Sequence, residues 1–105
     1  MKVSEIKVNE FTNHSNYEMK FGDNCVTVSI HNDGEILFIE SNDTLFHYYA
    51  DNKWSILDKR TNKSEMHTCK CTHVGVIHIH PFFSTFEKDI QSAVGIANAI
   101  FNSGK

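Results

Sequence analysis

The chain has 105 residues, of which 40% are hydrophobic and 22% are charged, and its formal net charge is −3. This length predicts one domain spanning residues 1–105, with a composition typical of soluble globular proteins. Because the charge is slightly negative and most basic residues are dispersed, the composition argues against a nucleic-acid partner. No apolar run suits a signal peptide or a membrane span. The three cysteines do not resemble a disulfide framework, so the expected compartment is the reducing cytoplasm.

Short strands separated by turn signals are predicted along most of the chain. A hairpin turn is indicated most strongly at Asn32-Asp33-Gly34, because glycine adopts the positive φ that tight hairpin turns require. The segment Glu35–Glu40 is apolar on both faces, which favours a central strand. The predicted strands are residues 2–8, Tyr17–Phe21, Cys25–His31, Glu35–Glu40, Thr44–Ala50, Lys53–Leu57, Glu65–Lys70 and Thr72–His80, the last two forming either two strands or one bent strand.

An amphipathic helix is predicted at the C-terminal end of the sequence. Ser84 and Glu87 have the spacing of a capping box, and Gly104 is a suitable stop. One apolar stripe recurs at intervals of three and four residues: Phe86, Ile90, Ala93, Val94, Ala97, Ile100 and Phe101. Strands followed by one helix predict an α+β fold, an antiparallel meander of six to eight short strands packed on that helix. The same pattern also suits a partly closed barrel capped by a helix, as in pleckstrin-homology-like domains.

Two histidines at the end of the last predicted strand are candidate metal ligands. His78 and His80 are two residues apart, so they would share one face at a separation of roughly 6.6 Å. Pro81 ends the strand, and the helix brings back the carboxylate of Asp89 as a third ligand. Three protein ligands with a fourth position left to water are typical of catalytic zinc.

The segment VGVIHIHP, with the loop and acidic helix start that follow, resembles the JAMM/MPN family of zinc metalloproteases over about residues 72–97. The resemblance implies zinc bound by His78, His80 and Asp89. It also implies a glutamate as general base, which is one of Glu18, Glu35 and Glu40, and Ser84 as the serine that stabilises the tetrahedral intermediate. The loop before Asp89 is shorter than in the family. Phe86 stands where the family has serine, and no glutamate lies in a Glu-x-x-Gly context.

Two other groups of side chains are weaker candidates. His67, Cys69, Cys71 and His73 would line one face of a strand, where an adjacent pair with His31 or His47 would suit a structural zinc ion; the alternative is an ordinary half-buried strand face. A second group comprises Tyr48, Tyr49, Trp54, Phe82 and Phe83. These aromatic residues would form either part of the core or an exposed patch that binds a protein.

Two functions follow from these patterns. The first is a small JAMM-like zinc-dependent peptidase or isopeptidase, or a degenerate member of that family, acting on a protein or peptide. The alternative is a non-enzymatic protein-binding module, such as an inhibitor or adaptor of the phage or mobile-element type, that acts through its sheet face. Zinc that is lost in His80→Ala would distinguish the first from the second.

Overall fold

The computed structural model describes residues 2–50, 53–68 and 87–104. These residues form seven strands followed by one helix, which confirms the predicted α+β fold. The elements are β1 (Glu5–Glu10), β2 (His14–Phe21), β3 (Asn24–His31), β4 (Ile36–Glu40), β5 (Thr44–Ala50), β6 (Lys53–Asp58), β7 (Lys63–Thr68) and α1 (Glu87–Ser103). The strand predicted at Thr72–His80 lies outside the described residues.

The strands form one antiparallel sheet in which their spatial order is the same as their order along the chain. The β4 strand is the middle one of the seven, as its apolar sequence predicts. Gly34 in the turn between β3 and β4 has a φ of 95°, which confirms the positive φ expected there. Its N–H donates to the carbonyl oxygen of His31 across 2.8 Å and closes the turn.

The hydrophobic core lies between one face of the sheet and α1. The helix packs mainly on β3 and to a smaller extent on β2. Period-two alternation directs the apolar side chains of both strands toward the helix, and the stripe of α1 meets them. The fully buried members of the core on these three elements are Phe21, Val26, Val28, Ile30, Ile90, Ala93, Val94 and Ala97.

The helix runs in the same direction as β3. Near its start, Asp89 bonds Asn24, the first residue of β3. Near its end, the ring of Phe101 lies 3.6 Å from the position that a Cβ atom would take at Gly34, just beyond β3. The two ends of the molecule are therefore distinct: one holds the start of α1 with the β2–β3 turn, and the other holds its end with the β3–β4 turn.

The face of β3 opposite the helix is not uniformly exposed. Cys25 on that face is exposed, whereas Ser29 on the same face is fully buried. Ser29 lies between Asn16 of β2 and Phe38 of β4 in the sheet register. Side chains directly opposite on adjacent strands are in contact, so these two neighbours shield the small serine from solvent.

Candidate functional site

A buried polar junction joins the first turn of α1 to the sheet. Asp89 retains only 7% of its exposure, and Asn24 only 1%. The Asn24 side-chain amide donates to the Asp89 carboxylate across 3.4 Å. Asp89 lies on the same buried side of the helix as Ile90, Ala93 and Val94. Its carboxylate, which the sequence predicts as a zinc ligand, therefore faces the sheet.

Asn24 also connects this junction to the β4–β5 turn. Its side-chain oxygen accepts from the backbone N–H of Asn42 across 3.1 Å. The Asn42 side chain in turn donates to the carbonyl oxygen of Asp23 (2.8 Å) and accepts from the N–H of Cys25 (3.2 Å). Both asparagines lie between predicted strands. Asparagine is common in turns, so nothing in the sequence pattern distinguishes these two as parts of a hydrogen-bonded network.

The glutamates proposed as general base lie at three other places. Glu18 and Glu40 are both in register with Thr27, on the sheet face opposite α1 and Asp89. The Asn9 side chain donates to Glu18, and Lys59 forms an ion pair of 2.7 Å with Glu40. Glu35 is exposed in the turn next to Gly34, at the far end of the helix from Asp89. Among these described residues, the structure brings none of the three glutamates to the Asp89 carboxylate.

The remaining candidate site residues lie outside the described residues: the ligands His78, His80, Cys69, Cys71 and His73, and the catalytic candidate Ser84. The same is true of Phe82 and Phe83 in the aromatic group, and of Phe86 in the helical stripe. Within residues 2–50, 53–68 and 87–104, no three His, Cys, Asp and Glu side chains lie close enough together to hold a metal ion. The predicted zinc site therefore stays a prediction, with Asp89 as its described member.

The sheet face opposite α1, here called the open face, is divided into a polar half and an apolar half. The polar half covers β1, β2 and the start of β3. Its side chains line a shallow pocket of about 230 Å³, and the charged ones form the cross-strand pairs Glu5–Lys20 and Lys7–Glu18. Opposite charges placed directly across two strands stabilise their pairing.

The apolar half covers β4 to β7. One row crosses the four strands from Phe38 to His47, Ser55 and Met66, and the next row contains Leu45 and Leu57. Tyr49 extends the first row, because its ring contacts that of His47 with centroids 4.7 Å apart. Tyr49 and Met66 are 59% and 58% exposed. We call this surface the apolar patch; it consists of Phe38, Leu45, His47, Tyr49, Leu57 and Met66.

The aromatic group predicted around the β5–β6 turn separates into two parts. Trp54 is buried in the core, where Tyr48 packs on it with ring centroids 5.1 Å apart. Tyr49 instead lies on the open face. Successive side chains of a strand point to opposite faces, which separates Tyr48 from Tyr49. Trp54 is thus part of the core and Tyr49 is exposed, while protein binding by the exposed member stays a prediction.

No protein-family model, curated protein or solved structure matches the chain. In the part of the chain that the structure describes, no helix has the length and hydrophobicity needed to cross a bilayer.

Proposed function

We propose that the protein is a non-enzymatic binding module that docks a folded protein partner on its apolar patch. The proposal is supported by one observation: large apolar and aromatic side chains are concentrated on the β4–β7 half of the open face, while the β1–β3 half is charged. Clustered exposed apolar side chains on a soluble protein are typical of interaction sites. A reducing cytoplasm suits the exposed free thiol of Cys25.

The chemistry of the patch fits a protein more than a small molecule. Tyrosine, phenylalanine and methionine are enriched in the centres of protein interfaces, because they bury a large area with few polar atoms. The ion pair between Lys59 and Glu40 stands at the edge of the patch and would form part of a polar rim. The expected partner therefore presents a flat apolar surface with polar groups around it.

Site-specific cross-linking tests this proposal. A photoreactive amino acid replaces Met66 in one variant and Lys20, in the polar half, in a control variant. We expect the variant labelled at position 66 to form a covalent adduct with one defined protein in cells of the native host, and the control to form none. The purified partner should then bind Tyr49→Ala on the order of thirtyfold more weakly than the wild type. Equal adducts from both positions, or unchanged affinity of Tyr49→Ala, would refute docking on the patch.

The JAMM-like function is a second candidate, and we propose it on one specific observation. Asp89, which the resemblance implies as the helical zinc ligand, is buried in the first turn of α1 with its carboxylate bonded to Asn24. A hydrogen bond from a neighbouring side chain orients a carboxylate for metal coordination. His78 and His80 would complete the ligand set, and the metal would activate a water molecule for hydrolysis of a peptide or isopeptide bond.

Metal analysis of untagged protein tests this second candidate. This candidate predicts about one zinc ion per chain in the wild type and in the control His14→Ala, and little in His80→Ala or Asp89→Asn. Zinc retained in His80→Ala would transfer the site to the region of Cys69 and Cys71. A wild type without zinc, even after dialysis against zinc, would exclude the zinc-dependent peptidase and leave the binding module.

A further inference from the structure

The strand β1 lies at the edge of the sheet, and its outer side is open in the described structure. It pairs only with β2 among the described strands, and five of its six residues are exposed. Two β-branched side chains on it, Ile6 and Val8, are 46% and 41% exposed. They lie on the same side of the sheet as α1, but the helix packs on β3 and β2 and leaves them uncovered. An exposed edge with β-branched residues and no proline is suited to pair with another strand.

The ladder between β1 and β2 determines which backbone groups are available at this edge. The N–H of Phe11 donates to the carbonyl oxygen of His14 across 2.9 Å, at the closed end of the hairpin. Bonded and non-bonded pairs alternate in an antiparallel ladder, so Asn9–Asn16 and Lys7–Glu18 are bonded pairs as well. The N–H and C=O groups of Ile6 and Val8 consequently point away from β2, toward the open edge.

The charges on β1 favour one way of pairing this edge with a second copy of itself. With a two-fold axis at Ile6, Ile6 lies opposite Ile6 of the second copy, and Glu5 lies opposite its Lys7. An axis at Lys7 would instead place two lysines against each other. An axis at Val8 would leave Glu5 and Lys7 without opposite charges. Only the first of these registers pairs every charge on the central residues with its opposite.

The charges on β2 extend the same complementarity. Glu5 is paired across the sheet with Lys20, and Lys7 with Glu18. In the register centred on Ile6, a row would run Lys20, Glu5, then Lys7 and Glu18 of the second copy. Positive and negative charges alternate along this whole row. They alternate in the same way along the equivalent row that the two-fold axis generates. The polar half of the open face would thus continue across the junction without a like-charged contact.

We propose that the chain forms a symmetric homodimer in which β1 pairs antiparallel with β1 of a second copy around Ile6, giving one continuous sheet. The bonds at the junction run between the two Ile6 residues, with each N–H donating to the facing carbonyl oxygen. This edge is separate from the apolar patch, which remains accessible on both copies.

Charge reversal tests the register directly. In Glu5→Lys each junction pair becomes two lysines, and in Lys7→Glu it becomes two glutamates. We expect sedimentation to show dimers of the wild type, and dimers of either variant to be on the order of tenfold weaker. An equimolar mixture of the two variants should dimerise like the wild type, because every junction lysine of one variant then faces a glutamate of the other. Since mixing leaves contacts within each chain unchanged, such a recovery cannot come from altered folding.

Ile6→Pro tests the backbone bonds, because the N–H that it removes points away from β2 and donates at the centre of the junction. This variant should be monomeric, whereas Ile6→Thr, which keeps the N–H, should remain dimeric; circular dichroism checks that both are folded. A monomeric wild type at the highest soluble concentration, no recovery in the mixture, or a folded Ile6→Pro that still dimerises would each overturn the proposal. Tyr49→Ala should leave the dimer unchanged, so the test is independent of docking on the apolar patch.

Discussion

The side-chain amide of Asn24 donates to the carboxylate of Asp89, across 3.4 Å and a separation of 65 residues along the chain. This contact fixes the start of α1 against the start of β3. Through the bond from the N–H of Asn42 to the Asn24 oxygen, it also includes the β4–β5 turn. One buried amide therefore connects three separate segments. Its nitrogen and oxygen atoms cannot exchange places, because the nitrogen donates to Asp89 and the oxygen accepts from Asn42.

Asn24→Asp should destabilise the protein in a strongly pH-dependent way. The new carboxyl group would be buried beside Asp89, and both burial and a like charge raise a carboxyl pKa above its unfolded value. At neutral pH its charged form therefore lowers the free energy of unfolding by about 3 kcal/mol. This loss disappears as the pH falls from above the raised pKa of the folded state to below the pKa of the unfolded state. Urea unfolding of variant and wild type at a series of pH values measures the difference. The exposed control Asn42→Asp should show a much smaller loss, and an equal loss in both would contradict this account.

Ser29→Ala should leave the stability unchanged or increase it by up to about 1 kcal/mol. The Ser29 hydroxyl is fully buried and has no hydrogen-bond partner among the described residues, so its removal recovers a desolvation cost. Thr44→Val is the matched control, because the buried Thr44 hydroxyl donates to the Asp43 carboxylate across 2.9 Å. Thr44→Val should lower the free energy of unfolding by about 1–2 kcal/mol. Chemical denaturation of both variants makes the comparison, and a clear loss of stability in Ser29→Ala would show that its hydroxyl is bonded.

Two glycines should respond in opposite directions to replacement by alanine. Gly95 lies on the exposed side of α1 with nothing within 4 Å of an added Cβ, so Gly95→Ala should stabilise by about 0.5–1 kcal/mol. Gly34 has a φ of 95°, which alanine adopts only with strain, so Gly34→Ala should cost about 1–2 kcal/mol. Thermal unfolding should therefore show a higher midpoint for the first variant and a lower one for the second; equal shifts would contradict the assigned backbone conformations.

The carboxyl group of Asp58 should titrate below its usual range. A hydrogen bond from the Arg60 side chain lowers the pKa of Asp58, with bonds from backbone N–H groups adding to the effect. Because the folded pKa is the lower one, the stabilisation is present above the unfolded value of 3.8 and is lost as the pH falls through the folded value. Carboxyl resonances followed by NMR should give a higher midpoint for Asp58 in Arg60→Gln than in the wild type. An unchanged midpoint would show that the guanidinium does not act on Asp58.

Much of the fold is predictable from the sequence because its elements follow simple periods. Val26, Val28 and Ile30 alternate with polar residues, and Ile90, Val94 and Ala97 recur at helical spacing. Each pattern matches an element whose apolar side is buried in the core. These local regularities determine which face of each element is buried. The element bounds differ from the predicted ones by up to three residues, since hydrogen bonding extends past the last apolar side chain, as at His14 in β2.

The candidate sites are less predictable because they depend on contacts between distant segments. Asn24 has the sequence context of a turn residue, yet it is buried where the start of α1 meets β3. Tyr48 and Tyr49 are adjacent in β5 and so lie on opposite faces of the sheet, but only the packing of the whole sheet decides that Tyr48 is on the core side and Tyr49 on the open face. His78 and His80, which carry the resemblance to the metalloprotease family, lie outside the described residues, so their role stays a prediction.

The packing of α1 on β3 has a consequence for synthesis of the chain on the ribosome. The strands pair with their neighbours in sequence, so the meander can assemble as it emerges. The helix that covers Val26, Val28 and Ile30 is made much later: at about 5–20 residues per second, the 65 residues between Asn24 and Asp89 take roughly 3 to 13 seconds. During that interval the nascent sheet presents an uncovered apolar face. Newly made chains should therefore depend on chaperones far more than the finished protein does.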